Sequence, residues 1–383
     1  MYRSPDGYYR QPERIDEDLR VWFDQHGFNG LHTAVLCRWF DLEKTSSDQF
    51  AKGEPSGDDP NPDLRTFEAL ELLITKAHAA GGFVHIWAWG DDSRRMTPIR
   101  WKINGPADRR LQRYIAARLG SLPGWTMGYG FDLWEWVDEQ QLVAWHDHLH
   151  QQLGWPHLIG GRVHRHGDPL EKTITTRLDY IGYETHRPDY RTYVAALERN
   201  PKKPVFMEDR FRVRVSKTYR KKDYDEQLTR RGLWHSAMAG GVANIWGYLL
   251  PDEGPQGASR AYPNREQIRT YATFFENRFL SDLQRADQWT DGVCLADPKR
   301  TQLLIYKEDC DEMRLNLSRL GKSQPAIAVD TRKQYGELDL KQLAAKDQTW
   351  KAPYRSDWAV AVGTFPKTDS HSKAAKADGR AAR

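Results

Sequence analysis

Helix-like and strand-like stretches alternate through residues 12–287 of this 383-residue chain. That alternation predicts an α/β fold, a (β/α)8 TIM-like barrel whose first strand is missing or truncated. Several strand-like stretches end in acidic and aromatic residues, and none runs into a glycine-rich phosphate loop. Such endings suit the C-terminal rim of a barrel and weaken a nucleotide-binding alternative. From about residue 288 the texture changes to short alternating segments joined by polar turns, which predicts a small antiparallel β-sandwich over 288–363. Residues 364–383 lack the apolar content to fold and are expected to be disordered.

Taken in order, the chain opens on a helix over 12–26, with Ile15, Leu19, Trp22 and Phe23 on one face. Gly27-Phe-Asn-Gly30 stops it, and a strand over 31–40 closes on Arg38, Trp39 and Asp41. After a polar loop, a second helix carries Phe67, Leu70, Ile74 and Ala77 in register and ends at Gly81. The strand Phe83-Val-His-Ile-Trp-Ala-Trp89 runs into Gly90-Asp-Asp92, and a third helix spans about 107–119. A Pro123-Gly124 turn starts the next strand at Trp125, which breaks into a loop holding Asp132, Trp134, Glu135 and Trp136. Asp138, with Gln141 three residues on, reads as a capping box for a helix bearing Leu142, Trp145, Leu149 and Leu153. Strands at 157–164, 180–185, 204–208 and 242–248 then alternate with helices at 170–178, 190–200 and 224–239. A last helix carries Ile268, Tyr271, Phe275 and Phe279. The strands number seven where a closed barrel needs eight. Because a helix comes first, the absent strand is the first one: Met1 is an internal start, or residues 1–9 fill the gap irregularly. An open doubly wound sheet is the competing arrangement.

Composition excludes several classes. The 57 Lys and Arg are interspersed with 53 Asp and Glu, for a net charge of +4, which gives nucleic-acid binding little support. No run is apolar enough to span a bilayer, and residues 1–10 contain no signal-peptide core. Cys37, Cys294 and Cys310 fit neither a zinc cluster nor a disulfide framework, Cys294–Cys310 being the one conceivable bridge. The 15 tryptophans and 17 tyrosines are the excess that needs a use, in the core or on a carbohydrate surface.

Carboxylates and indoles held where a strand gives way to a helix point to sugar. A carboxyl group serves the glycosidic oxygen, and a flat ring serves the pyranose face. Asp132, Glu208 and Glu135 are therefore the catalytic candidates. Asp132 follows its strand directly, and Glu135, three residues on, is its rival as acid. The competing structural roles are bonds to loop amides for Asp132, a surface position for Glu135 and an ion pair with Arg210 for Glu208. Candidate substrate contacts at the earlier strand ends are Arg38, Trp39, Trp89 and Asp91, then Trp134, Arg162 and His164. Later ends add Tyr183, Glu184 and His186, then Arg210, and finally Trp246 and Tyr248. Trp39, Trp87, Trp89, Trp134, Trp136 and Trp246 are equally candidates for the core. Guanidiniums at Arg38, Arg94, Arg95, Arg162, Arg165, Arg210, Arg212 and Arg214 suit an anionic glycan bearing uronic acids or sulfate esters, with ordinary ion pairs as the alternative. His85, His164 and His186 sit near three strand ends, but no His-x-His pair accompanies them, so no metal or other cofactor is expected.

The segments Gly27-Phe-Asn-Gly30, Gly128-Tyr-Gly-Phe-Asp132 and Pro204-Val-Phe-Met-Glu208 carry a resemblance, together with Gly240-Gly241 before Trp246-Gly-Tyr248 and the closing Trp358-Ala-Val-Ala-Val-Gly363. In this order the chain resembles the apiosidase-like members of the clan A (β/α)8 glycoside hydrolases, over most of residues 12–363. The resemblance implies a retaining double displacement on a polysaccharide or oligosaccharide. Its acid/base on the fourth strand maps onto Asp132 and its seventh-strand nucleophile onto Glu208. It also implies a small C-terminal β-domain and export to the periplasm or medium if the N-terminus is truncated. The chain departs from the wider clan at the fourth strand, where Tyr129-Gly130 replaces the usual Asn-Glu pair. A catalytically inactive barrel serving as a glycan-binding module is the second hypothesis, and fold alone does not separate the two.

Overall fold

The computed structural model describes residues 12–42, 59–92, 96–185, 188–208, 225–245, 262, 264–276, 278 and 282–365. The chain divides into two compact units, Met1–Arg265 and Glu266–Arg383. No described helix is long and apolar enough to cross a membrane.

The first unit is built on six parallel strands: β1 (Gly30–Ala34), β2 (Phe83–Trp89), β3 (Trp125–Gly130), β4 (Ile159–Val163), β5 (Tyr180–Glu184) and β6 (Val205–Glu208). They pair in chain order and curl as a half-barrel. Helix α1 (Pro12–Leu19) precedes β1. Helices α2 (Leu64–Ala79), α3 (Pro106–Leu119), α4 (Glu139–Gln152), α5 (Glu171–Arg177) and α6 (Tyr190–Arg199) make the crossovers, and α7 (Glu226–Ala239) follows β6. Four of these helices start on an aspartate whose carboxylate takes a first-turn N–H: Asp63, Asp138, Asp189 and Asp225. At Asp138 the capping box with Gln141 is complete.

Strand alternation sorts the side chains. Val84, Ile86, Met127, Ile159, Ile181 and Val205 are buried in the large core cluster. The intervening residues turn to the barrel axis, among them His32, His85, Trp87, Arg162, Tyr180, Glu184 and Glu208, as the parallel registers require. Two expected elements end early. The first helix passes into a π-type turn at Arg20–Gln25, where the His26 ring bonds back to Val21 O at 2.6 Å. The first strand stops at Ala34 and becomes a 3-10 turn at Leu36–Trp39, which lets the Trp39 indole N–H reach Ala88 O at 2.9 Å. Of the strand expected at 242–248, residues 242–245 run as irregular chain beside β6. Val242 N donates to Val205 O at 3.0 Å and Asn244 Nδ2 to Met207 O at 3.1 Å. Residues 246–248, like residues 1–9, lie outside the described residues.

The second unit begins within α8 (Arg265–Glu276) and holds six antiparallel strands. These are β7 (Gln284–Arg285), β8 (Val293–Ala296), β9 (Leu303–Asn316), β10 (Gln324–Asp330), β11 (Glu337–Leu343) and β12 (Asp347–Val362), in the order β11-β10-β12-β9-β8-β7. Where short segments are expected, residues 303–316 form one long strand, β9. Register shifts against β12 around Ser356 bend the pair and change which residues face inward. Leu303 and Ile305, then Cys310, then Met313 and Leu315 therefore all reach the same core. Cys294 and Cys310 remain free, buried thiols, so the conceivable bridge is absent.

Candidate active site

The axis of the half-barrel is polar below and acidic above. At mid-height, Tyr180 Oη lies 2.6 Å from His85 Nε2, and His85 Nδ1 lies 2.6 Å from His32 Nδ1. Burial depresses the His85 pKa to about 3 and takes His32 well below its ordinary value. Burial, and then the charge of Glu208, push the Tyr180 hydroxyl well above the usual phenol range. All three groups are therefore neutral at ordinary pH, and a Tyr180→His85→His32 donor chain satisfies both contacts.

Above this floor stand the carboxylates. Asp132 directly follows β3 in the left-handed region (φ 51°), a conformation that aspartate tolerates better than most residues. Its Oδ1 receives Arg162 Nη2 at 2.5 Å, and the same nitrogen lies 3.2 Å from Glu184 Oε2. Glu184 Oε2 in turn lies 2.9 Å from His164 Nδ1, and the His164 ring stands 5.1 Å from the indole of Trp134. Arg162 is 4% exposed, its guanidinium packed over Trp87 (5.4 Å) and Phe131 (5.5 Å). Glu208 is 1% exposed and registers with Glu184 on the adjacent strand. Its carboxyl lies across Gly182, where an added Cβ would stand 2.6 Å from Oε1, so any other residue there would force the carboxyl to move.

The two coupled carboxyls are perturbed in opposite directions. Burial raises the Asp132 pKa; Arg162 opposes this, and the charges of Glu184 and Glu135 reinforce it. Glu184 is also disfavoured by burial, but Arg162 and the hydrogen bond with His164 outweigh that and lower its pKa. A pair pushed apart in this way can hold one proton and one charge at the same pH. Asp132, His164 and Glu184 also bring three donor atoms within 4.8 Å, the spacing of a metal site. Arg162 already inserts a positive nitrogen between the two carboxylates, so the charge a metal would supply is met by the chain itself.

The other expected contacts divide. Trp134 is exposed at the rim beside Glu135, also exposed, whose backbone N–H donates to Asp132 O. Arg38 and Asp91 are buried in the loops after β1 and β2. Trp39 is fully buried on Phe67, and Trp89 is sealed beside Phe40 and Trp101, so both tryptophans are core and neither offers a face to a sugar. Tyr183 points away from the axis, its ring under Arg199 of α6, because its neighbours Gly182 and Glu184 take the inward positions. His186, Arg210, Trp246 and Tyr248 lie outside the described residues, as do Arg94, Arg95, Arg212 and Arg214. The bridge made by Arg162 and the space supplied by Gly182 were not anticipated. Strict alternation along 180–184 and 159–163 is the signal that contained them.

No family model and no curated protein matches the sequence. Solved structures do match. A glycoside hydrolase aligns with TM-score 0.67 and 11% identity over 94% of this chain and 89% of its own. A glycoside hydrolase family 5 protein from Bacteroides vulgatus gives 0.67 and 12% over 94% and 86%. A GH30 endoxylanase from Clostridium papyrosolvens gives 0.53 and 11% over 91% and 93%. At such identities the likeness is one of architecture: this chain has the TIM-like fold of glycoside hydrolases.

Proposed function

We propose that the chain is a retaining glycoside hydrolase in which Glu208 is the nucleophile and Asp132 the acid/base. In the first step the Glu208 carboxylate attacks the anomeric carbon while the Asp132 carboxyl gives its proton to the departing glycosidic oxygen. In the second, the Asp132 carboxylate takes a proton from water. That water's oxygen displaces Glu208 from the anomeric carbon with net retention. The arrangement that carries this reading is Asp132 at the end of β3, bridged through Arg162 to Glu184, with Glu208 in register beside Glu184. Asp132 is biased to hold a proton, as a general acid must. Glu184 and Arg162 keep its surroundings balanced when the proton leaves. Asp132 is preferred to Glu135 because its carboxylate enters this network directly, while the side chain of the exposed Glu135 acts on it through its charge. Trp134, exposed beside His164, supplies a stacking face for a pyranose ring.

An anionic glycan remains the substrate class we favour, with a smaller set of arginines than the sequence offers. Arg162 spends its charge on Asp132 and Glu184, so among the described residues the reading rests on Arg165, exposed just after β4. The test is a panel of nitrophenyl glycosides and of neutral, uronic-acid and sulfated polysaccharides at low salt. Glu208→Gln should bind glycan yet lose several orders of magnitude in turnover, and Asp132→Ala should be rescued by azide on an activated aryl glycoside. Rescue in Glu135→Ala alone would exchange the two acid roles, and substantial turnover by Glu208→Gln would end the assignment of the nucleophile.

A further inference from the structure

A second cluster of histidine and carboxylate lies at the foot of the barrel, beside the start of β5 and outside the machinery assigned above. The segment His146-Asp-His-Leu-His150 falls within α4, so His146 and His150, four residues apart, share one helix face. His148 turns to α3, with Nδ1 2.8 Å from Gln112 Oε1. Asp179, directly before β5, brings its carboxylate to the shared face. Its Oδ2 lies 2.8 Å from His150 Nε2 and 3.6 Å from His146 Nε2, and donor atoms of all three residues lie within 4.8 Å of one another. Around a tetrahedral zinc with bonds of about 2.0–2.1 Å, neighbouring donor atoms stand about 3.3 Å apart. The observed spacings bracket that value.

A second, independent feature points the same way. His146 is 8% exposed, and its Nε2 has no hydrogen-bond partner although it faces Asp179. Its Nδ1 lies 3.0 Å from Asp147 Oδ1, so the ring N–H donates there. In the neutral ring this directs a buried lone pair at a carboxylate, an arrangement that demands a proton or a cation. A carboxylate behind a histidine is also how proteins orient metal-binding imidazoles. The nearby cations are engaged elsewhere, Arg177 with Asp147 at 3.2 Å and Lys203 with the Leu178 carbonyl. The half-exposed side chains of His150 and Asp179 leave a path from solvent.

We propose that His146, His150 and Asp179 bind a borderline divalent transition-metal ion, Zn2+ being the probe of choice, with water completing the tetrahedron. Two imidazoles and one carboxylate select against Mg2+ and Ca2+, which require oxygen donors. The ion staples the second half of α4 to the start of β5, remote from the rim carboxylates, and takes no part in glycoside cleavage. The experiment uses the full chain, tag removed and stripped with chelator, titrated with Zn2+ by calorimetry and equilibrium dialysis. One equivalent should bind, raise the melting temperature and survive excess Mg2+. It should be lost in His150→Ala and in Asp179→Asn, which keeps an acceptor for the Ile159 N–H, with both variants folded by circular dichroism. No uptake by the native chain, uptake unchanged in both variants, or uptake abolished only by Glu184→Gln would each overturn the proposal.

Discussion

At the rim of the barrel Arg162 Nη2 sits between the carboxylates of Asp132 and Glu184, while at the foot the Asp179 carboxylate faces two imidazoles. The parts are alike, histidine and carboxylate within a few ångströms. The difference is the guanidinium. At the rim the cation is built into the chain, so the two acids divide into one raised and one lowered pKa. At the foot burial disfavours the charge of Asp179, but the imidazoles of His146 and His150 facing it and the hydrogen bond from the Ile159 N–H outweigh it and hold that carboxyl low. The rim pair has its counter-charge built into the chain; the foot, among the described residues, has a carboxylate facing two rings with no guanidinium between them. On the proposed roles, proton transfer falls to one end and structure to the other.

The sharpest way to break the contrast is to remove the guanidinium. Arg162→Met leaves Asp132 and Glu184 partly buried without counter-charge, and should cost roughly 3–5 kcal/mol at neutral pH in urea denaturation. Without Arg162 both folded-state carboxyl pKa values rise, so the deficit applies at neutral pH and is relieved as the pH falls and the groups protonate. The same variant should gain a zinc equivalent at Asp132, His164 and Glu184. A loss below about 1 kcal/mol, a surface-pair value, would show that Arg162 is not what organises the rim.

Asp108 supplies the reference state, a carboxyl with little counter-charge. Burial raises its pKa to about 6, against hydrogen bonds from Asn104 N and Gln112 and the weaker charge of Arg109. Because the folded value exceeds the unfolded one, this term destabilises the wild type as pH rises through about 6, and it vanishes below the unfolded value. A shift of that size is worth roughly 3 kcal/mol. Asp108→Asn should therefore be more stable at neutral pH and equal to wild type in acid; equal stability at both pH values would refute the premise. A smaller effect is expected from Glu184→Gln. It removes a negative neighbour from Asp132, lowers the Asp132 pKa and moves the alkaline limb of the kcat/KM profile to lower pH. An unmoved limb would detach Glu184 from the acid.

The smallest test compares two exposed indoles, Trp134 at the rim and Trp155 in the loop before β4. Trp134→Ala should raise KM about 3- to 10-fold, the value of one stacking contact of about 1 kcal/mol, and Trp155→Ala should leave KM unchanged. Equal effects would remove Trp134 from the substrate site.

Much of this was legible from local rules. The Asp138–Gln141 capping box, the strand leading to Asp132 and the strand ending at Glu208 are short-range patterns, and they appear where expected. What escaped depends on partners distant in sequence. Tyr183 and Glu184 are adjacent in the chain, yet only alternation in a parallel register assigns one outward and the other to Arg162. Trp39 and Trp89 looked like sugar platforms because strand-end position says nothing about what closes over a ring. Strand β11 has mostly exposed residues and little hydrophobic pattern, and its pairing with β10 is what makes it a strand.

The neutral layer of His32, His85 and Tyr180 beneath the rim has a consequence of its own. Its members hold their protonation across the range in which a glycosidase is assayed, since the imidazoles are too acidic as cations and the phenol too basic as an anion to change charge there. The layer acts as an electrically silent backdrop to Glu208. On the proposed function, this layer supplies no bend to a pH–activity curve, and it contributes a constant potential that a rim mutation can be measured against.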